Sequence, residues 1–315
     1  MAQDSKKLRV GVFAGGVSSE RDVSLKSAAQ VIAHLSPEKY DRITPVPLGS
    51  TENLDLAFIA MHGAFAEDGR IQSLFEITGL PYTGSGVLAS AIGIHKAKTR
   101  QVAAHRGIVS PALFELHEMP VDLDEIDARI VSEIGYPCVI KPTTSGSSMG
   151  ISIVDDRTEL ASALTAAFAE KGSVLIEQYV RGREFTCGVM GNSHRTELTA
   201  LPVVEIVTAS RFFDYSAKYD SAETQEICPA DIAPELAARI QEAAVAAHES
   251  LDCDGVTRSD FILGEDGILY FLEINTIPGM TAASICPKEA QAAGMSFPQF
   301  LDRIIDLALQ RHTRP

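Results

Sequence analysis

The chain has 315 residues, 45% of them hydrophobic, and its 27 Lys+Arg against 42 Asp+Glu leave a formal net charge of -15. That length is ample for a buried core and suggests two or three domains. The charge argues against a duplex nucleic-acid binder and against a polybasic membrane anchor, both of which need a basic surface, but local lysines still leave room for a nucleotide substrate. Cys138, Cys187, Cys228, Cys253 and Cys286 form no C-x-x-C pair, so they read as reduced core or near-site thiols in a cytosolic protein. The N-terminus leads into a strand without an apolar signal region, and no run approaches membrane-spanning length, so the expectation is a soluble cytoplasmic protein.

Leu8 to Ala14 is an apolar run ending at Gly15-Gly16, predicted as a buried parallel-type strand and loop. Ala28, Val31, Ile32 and Leu35 share one helical face and predict an amphipathic helix from Leu25 to Leu35. Leu56 to Met61 repeats the strand pattern up to His62-Gly63, and Ile71 to Ile77 is predicted helical. To about Gly93 this makes a small open α/β domain whose functional loops belong at strand C-termini. One long helix with Ala91, Ala97, Val102 and Ala103 buried follows, stopping at Gly107. After the acidic stretch Glu118 to Asp127, strands at Cys138 to Lys141, Ile151 to Val154 and Val174 to Tyr179, with a helix from Leu160 to Phe168, predict a central α+β unit. Strands at Glu184 to Met190 and Leu201 to Ile206, helices at Pro234 to Leu251 and Phe300 to Leu309, and a hairpin between the helices complete the chain. The irregular segment from Val207 to Cys228 is long for a connection and reads as a lid.

The hairpin spans Gly255 to Thr281, with Asp266-Gly267 as the two residues of a type I′ turn. That turn puts Asp260 opposite Glu273 and Arg258 opposite Asn275; a four-residue loop would make these pairs diagonal on the same face. Opposed carboxylates repel, so a positive species is expected between them. With the Asn275 amide they form an all-oxygen set suited to Mg²⁺; a solvated polar face is the bland alternative.

Two other patterns fail on context. Gly84-Ser-Gly86-Val-Leu-Ala89 matches a dinucleotide fingerprint but lacks the later ribose-binding acid, and Gly146-Ser-Ser148-Met-Gly150 matches a nucleophile elbow but leads into a strand rather than a helix. The same loop, from Lys141 to Gly150, has a composition that either folds over a triphosphate or makes a flexible turn. Glu177 and Glu184 flank a turn containing Gly182 and are either acceptors for a nucleotide's amino and ribose groups or surface residues. Lys218 and Tyr219 lie in the lid near Phe212, Phe213 and Tyr215.

The motifs Gly15-Gly16-Val-Ser-Ser-Glu20, His62-Gly63, Tyr82-Thr-Gly84-Ser-Gly86, Gly146-Ser-Ser-Met-Gly150, Asp214-Tyr-Ser-Ala-Lys218-Tyr219, Arg258-Ser-Asp260-Phe and Glu273-Ile-Asn275-Thr-Ile-Pro-Gly279 occur in order over nearly the whole chain. Together they resemble the D-alanine–D-alanine ligase family of the ATP-grasp superfamily. The resemblance implies a three-domain fold of mixed α/β and α+β type: residues 1–94, 95–180 and 181–315, with a lid at 207–228 and the nucleotide held between the second and third domains. It implies ATP with two Mg²⁺ or Mn²⁺ as cofactors and two D-alanine molecules as substrates, joined for peptidoglycan synthesis. By that resemblance Lys96, Lys141, Ser148 and Lys218 hold ATP phosphates, Glu177 and Val180 meet adenine, and Glu184 meets the ribose. Asp260, Glu273 and Asn275 bind the metals, and Arg258 and the Gly279 N–H steady an oxyanion. Glu20, in a set with Ser147 and Tyr219, takes the first amino group; His62 lies beside the first substrate, and Ser284 with Ile285 holds the second carboxylate. Ser145, Ala66 and Ala14 depart from the family pattern, leaving amino-acid preference open. The sequence is silent on oligomeric state; the family implies a homodimer.

Overall fold

Among the described residues three β-sheets, one from each successive part of the chain, frame the protein. The computed structural model describes residues 7–18, 20–43, 51–144, 150–170, 172–208, 224–281 and 283–313. In the first part, β1 (Leu8–Phe13), α1 (Arg21–His34), β2 (Tyr40–Ile43) and β3 (Leu56–Ile59) build a parallel sheet of order β2-β1-β3. The apolar β1 and β3 are largely buried, as parallel strands covered on both faces require. Helix α1 starts four residues before the apolar pattern predicts, because its first buried contacts are polar: the Ser24 hydroxyl donates to the Ala60 carbonyl and accepts from the Gly15 N–H, both at 2.8 Å.

Helices α2 (Arg70–Thr78), α3 (Val87–Gly93) and α4 (Lys96–Ala104) follow. The long helix expected here is broken, because the extended His95 caps α4 by accepting from the Lys98 N–H. The break leaves Lys96 in the first turn of α4, with its own N–H on the Thr143 carbonyl at 3.1 Å.

The second sheet is antiparallel, in order β4-β7-β5-β6. Its elements are β4 (Leu113–Leu116), α5 (Leu123–Glu133), β5 (Cys138–Pro142), β6 (Ser152–Val154), α6 (Leu160–Phe168) and β7 (Val174–Gln178). The acidic stretch is partly helical: Ile126 and Ile130 form a buried face, Asp122 caps the first turn, and Asp124 and Glu125 suit its positive end.

The third sheet contains β8 (Gly182–Asn192), β9 (Thr199–Ala200), β10 (Val204–Thr208), β11 (Thr224–Ile227), β12 (Asp254–Gly264) and β13 (Leu269–Asn275). The order is β11-β10-β8-β12-β13, with β9 also beside β8. Its helices are α7 (Pro234–Ser250), α8 (Ile285–Ala292) and α9 (Phe297–His312). The segment read as irregular from Val207 begins and ends in strand, since β10 and β11 pair; Lys218 and Tyr219 between them lie outside the described residues. Helix α9 packs Phe300, Leu301 and Ile304 into one core with Val10, Val31 and Leu56, so the end of the chain closes over the first sheet.

The β12–β13 register puts Arg258 opposite Asn275 and Asp260 opposite Glu273, as expected, but by a different route. Gly264 pairs with Ile268 at 2.8 Å, so the loop has three residues, closed by Gly267 at φ +77°. A bulge between Asp260 and Phe261 then leaves Leu272 without a partner and restores the register at the acidic pair.

His248 on α7 is fully buried, with Nδ1 at 2.8 Å from Thr257 Oγ1, and burial pushes its pKa down from 6.5 to about 4. The folded state therefore binds this proton less readily than the unfolded chain, and stability falls as pH drops from about 6.5 to 4, by up to about 3 kcal/mol. The buried Glu289 carboxyl, raised from 4.5 to about 7, acts with the opposite sign between those two values. Comparing urea unfolding of the protein with that of His248→Gln isolates the histidine. The parent is expected to lose stability relative to the variant as pH falls from 7 to about 4; a pH-independent difference would contradict the assignment.

Candidate functional site

A cleft of about 380 Å³ opens between the second and third sheets, lined by Lys141 and Glu177 on one wall and Glu184, Arg258, Asp260 and Glu273 on the other. Lys96, Val180 and Ile285 also reach it. Charges in this cleft are matched in pairs. Arg258 grips Asp260 with two hydrogen bonds of 2.9 Å, and the Thr186 hydroxyl donates to Asp260 at 2.6 Å from the neighbouring strand. Lys96 Nζ lies 3.1 Å from Glu273 Oε2. Burial alone would lower the pKa of Arg258, but Asp260 outweighs it and holds the guanidinium charged.

On the opposite wall Glu177 is 4% exposed and ion-paired through both oxygens, Oε1 to Lys141 at 2.7 Å and Oε2 to Arg100. Burial acts to raise its pKa, yet Arg100 and Lys141 together lower it. Lys141 is pushed down to about 8, first by burial and then by Arg100 and Lys96, against the pull of Glu177. Arg100 also donates from Nε to the Leu272 carbonyl at 2.9 Å, the residue left over by the β13 bulge. One buried guanidinium thus joins the Lys141–Glu177 pair on one sheet to the strand carrying Glu273 on the other.

The remaining expected residues gather beyond the end of β13. Asn275 Oδ1 accepts from the Ile277 N–H at 2.9 Å, turning the chain toward Gly279. His62, 5% exposed, lies 3.1 Å from the Ile277 carbonyl through Nδ1 and 3.2 Å from the Ser27 hydroxyl through Nε2, and Ser27 accepts from the Met280 N–H at 3.3 Å. The carbonyl fixes Nδ1 as the protonated nitrogen. Glu20 lies against Gly63, and Gly279 against the Ser284 hydroxyl, which accepts from the Thr281 N–H at 3.0 Å. Ser147, Ser148, Lys218 and Tyr219 fall outside the described residues.

The family described as "D-ala D-ala ligase C-terminus" matches residues 104–306, and "D-ala D-ala ligase N-terminus" matches residues 46–85. A D-alanine–D-alanine ligase of Syntrophobacter fumaroxidans is 44% identical over 316 residues, covering 97% of this chain and 99% of that one. The chain belongs to the D-alanine–D-alanine ligase family. Among solved structures, the ligase from Bacillus anthracis complexed with ATP superposes with a TM-score of 0.82 at 35% identity, over 97% of this chain and 98% of that chain. The VanG D-Ala:D-Ser ligase from Enterococcus faecalis superposes with a TM-score of 0.84 at 31% identity, over 96% and 100%.

Three groups that motif reading passes over support this cleft: Thr186 lines it, Arg100 holds Glu177 in its wall, and Glu289 bonds Gly188 behind the strand that carries Arg258. Arg100 lies one turn beyond Lys96 on α4, a spacing that puts both on one helical face. Thr186 is legible only from the β8–β12 register. Removing Arg100 would leave Glu177 buried with half its charge partners, and Arg100→Met is expected to cost about 3–5 kcal/mol in urea unfolding. A cost below about 1 kcal/mol would mean that Glu177 is satisfied without it.

Proposed function

We propose that the chain joins two D-alanine molecules to D-alanyl-D-alanine with ATP, supplying peptidoglycan precursors, through a D-alanyl phosphate. The observation that carries this reading is the cleft itself: paired acids on β12 and β13 face lysines from α4 and β5, in a fold shared with an ATP-complexed relative. A carboxylate oxygen of the first D-alanine attacks the γ-phosphorus of ATP, and the bond from that phosphorus to the bridging oxygen breaks to release ADP. Both partners are anions, so the step needs cations fixed in place beforehand. Lys96 and Lys141 supply them at the cleft and Lys218 from the lid, with Glu184 and Val180 receiving ribose and adenine. Because Glu177 spends both oxygens on Arg100 and Lys141, its service to the nucleotide is chiefly to hold Lys141.

The amine of the second D-alanine then attacks the acyl carbon, forming the C–N bond; the C–O bond to phosphate breaks and the amine loses a proton. Negative charge gathers on the carbonyl oxygen, and in this reading Arg258 and the Gly279 N–H receive it. Glu20, Ser147, Tyr219 and His62 serve the first substrate and the lid, and Ser284 with Ile285 serves the second. A closed lid keeps water from the acyl phosphate.

The donor set at Asp260, Glu273 and Asn275 fits Mg²⁺ or Mn²⁺, being all oxygen and on one strand pair. Among the described residues no group of three His, Cys, Asp or Glu gathers around one point, so the rest of each shell falls to the amide, phosphates and water. When bound, two such ions would neutralise phosphate charge and orient the γ-phosphoryl group.

The three sheets support the division at 1–94, 95–180 and 181–315, and no helix among the described residues is long and apolar enough to cross a membrane. A cytoplasmic homodimer is carried over from the family likeness.

The direct test mixes the purified protein with ATP, Mg²⁺ and single D- or L-amino acids. Phosphate release with D-alanine, yielding the dipeptide, is expected; turnover only when D-serine or D-lactate is added would favour a sister ligase. Asp260→Asn and Glu273→Gln should each lower kcat at least about 10³-fold with an unchanged circular dichroism spectrum, and full activity in either would remove the metal assignment.

A further inference from the structure

Behind the wall that carries Arg258, a buried carboxyl ties a helix to a strand. The neighbour of β8 changes along its length: β10 pairs with Glu184 to Thr186, and β9 with Val189 and Met190. Gly188 falls between these ladders. Its carbonyl accepts from the Leu201 N–H at 2.8 Å, and its N–H donates to Glu289 Oε1 of α8 at 2.9 Å. A Cβ at Gly188 would lie 2.6 Å from Glu289 Oε2 and 2.8 Å from Leu201 Cδ1, so only glycine leaves room for the carboxyl. Gly188 is also the residue directly opposite Arg258 on β12.

Stability alone gives little reason for this acid. Glu289 is 0% exposed, and beyond the Gly188 N–H its carboxyl meets the weakly donating Cys286 thiol, an arrangement that costs free energy relative to an apolar side chain of similar size. What it achieves is placement. Helix α8 begins at Ile285, which lines the cleft, immediately after Ser284. On its other side the adjacent Lys288 bonds Glu226 of β11 at 2.7 Å, so neighbouring residues pin the helix to two strands.

We propose that Glu289 is a positioning residue for the acceptor amino acid: by fixing α8 to Gly188 it sets the Ser284–Ile285 end of the helix at a defined distance from Arg258. The proposal rests on the reading that Ser284 and Ile285 hold the carboxylate of the second substrate. Glu289 touches no reacting atom, so its loss should be felt in acceptor binding and not in formation of the acyl phosphate.

Two assays separate these effects: the KM for D-alanine at the second site, and capture of D-alanyl phosphate by hydroxylamine, which reports the first half-reaction. Glu289→Ala should raise the acceptor KM about tenfold, the equivalent of one displaced hydrogen bond, with the rate of hydroxamate formation unchanged. Glu289→Gln keeps an oxygen for the Gly188 N–H and should restore most of the affinity. Should Glu289→Ala not fold, Gly188→Ala, which pushes the carboxyl aside, must show the same acceptor-selective loss. An unmoved acceptor KM, or an equal loss in both half-reactions, overturns the proposal. Ser284→Ala tells the two claims apart: if it raises the acceptor KM while Glu289→Ala does not, the positioning role fails alone, and if it changes nothing, the acceptor reading beneath it fails.

Discussion

Asp260 and Glu273 stand directly opposite each other on adjacent antiparallel strands, an arrangement that repels unless positive charge is brought to both. Arg258, two residues before Asp260, does this for one acid, and Lys96, from a helix outside the sheet, does it for the other. The cost of gathering like charges is thus met inside the protein before any ligand arrives, and the same two cations are ones the proposed chemistry calls on.

Much of the surrounding architecture follows from delivering these cations. The break at His95 turns what would be one helix into two and leaves Lys96 at the start of the second, with Arg100 one turn on. The bulge at Leu272 frees a carbonyl that Arg100 takes, and the same guanidinium holds Glu177 against Lys141. Burying such a network is expensive unless every charge is paired, which ties the two walls of the cleft to a common geometry. Arg183, at the rim, pairs with Glu205 at 2.7 and 2.8 Å and steadies the β8–β10 edge of the same cleft.

The sequence was legible where local rules act alone. The parallel strands β1 and β3 read as apolar runs while the polar β2 escapes that rule, helix α6 has the expected bounds, and the acidic pair stands face to face as expected. That last success came through two departures that offset each other, a longer turn and a bulge, neither of which alternation of side chains can reveal. The His95 break was hidden because alanine-rich flanks favour helix on either side and the interruption is made by a side-chain cap and tertiary contacts. Strands β4 and β11 are short and mixed in polarity, and the partner of β4, strand β7, lies far along the chain. Arg100 and Glu289 were missed for a single reason: charged residues are exposed by default, and only three-dimensional packing shows which have been buried.

The central claim is that the facing acids form a cation site completed by nucleotide. Crystals grown with Mn²⁺ and a non-hydrolysable ATP analogue test it most directly, through anomalous scattering at the manganese edge. The account predicts peaks bounded by Asp260, Glu273 and Asn275 on one side and by phosphate oxygens on the other. A nucleotide bound with no anomalous peak on that face, and with Asp260 still held by Arg258 and Glu273 by Lys96, would contradict it.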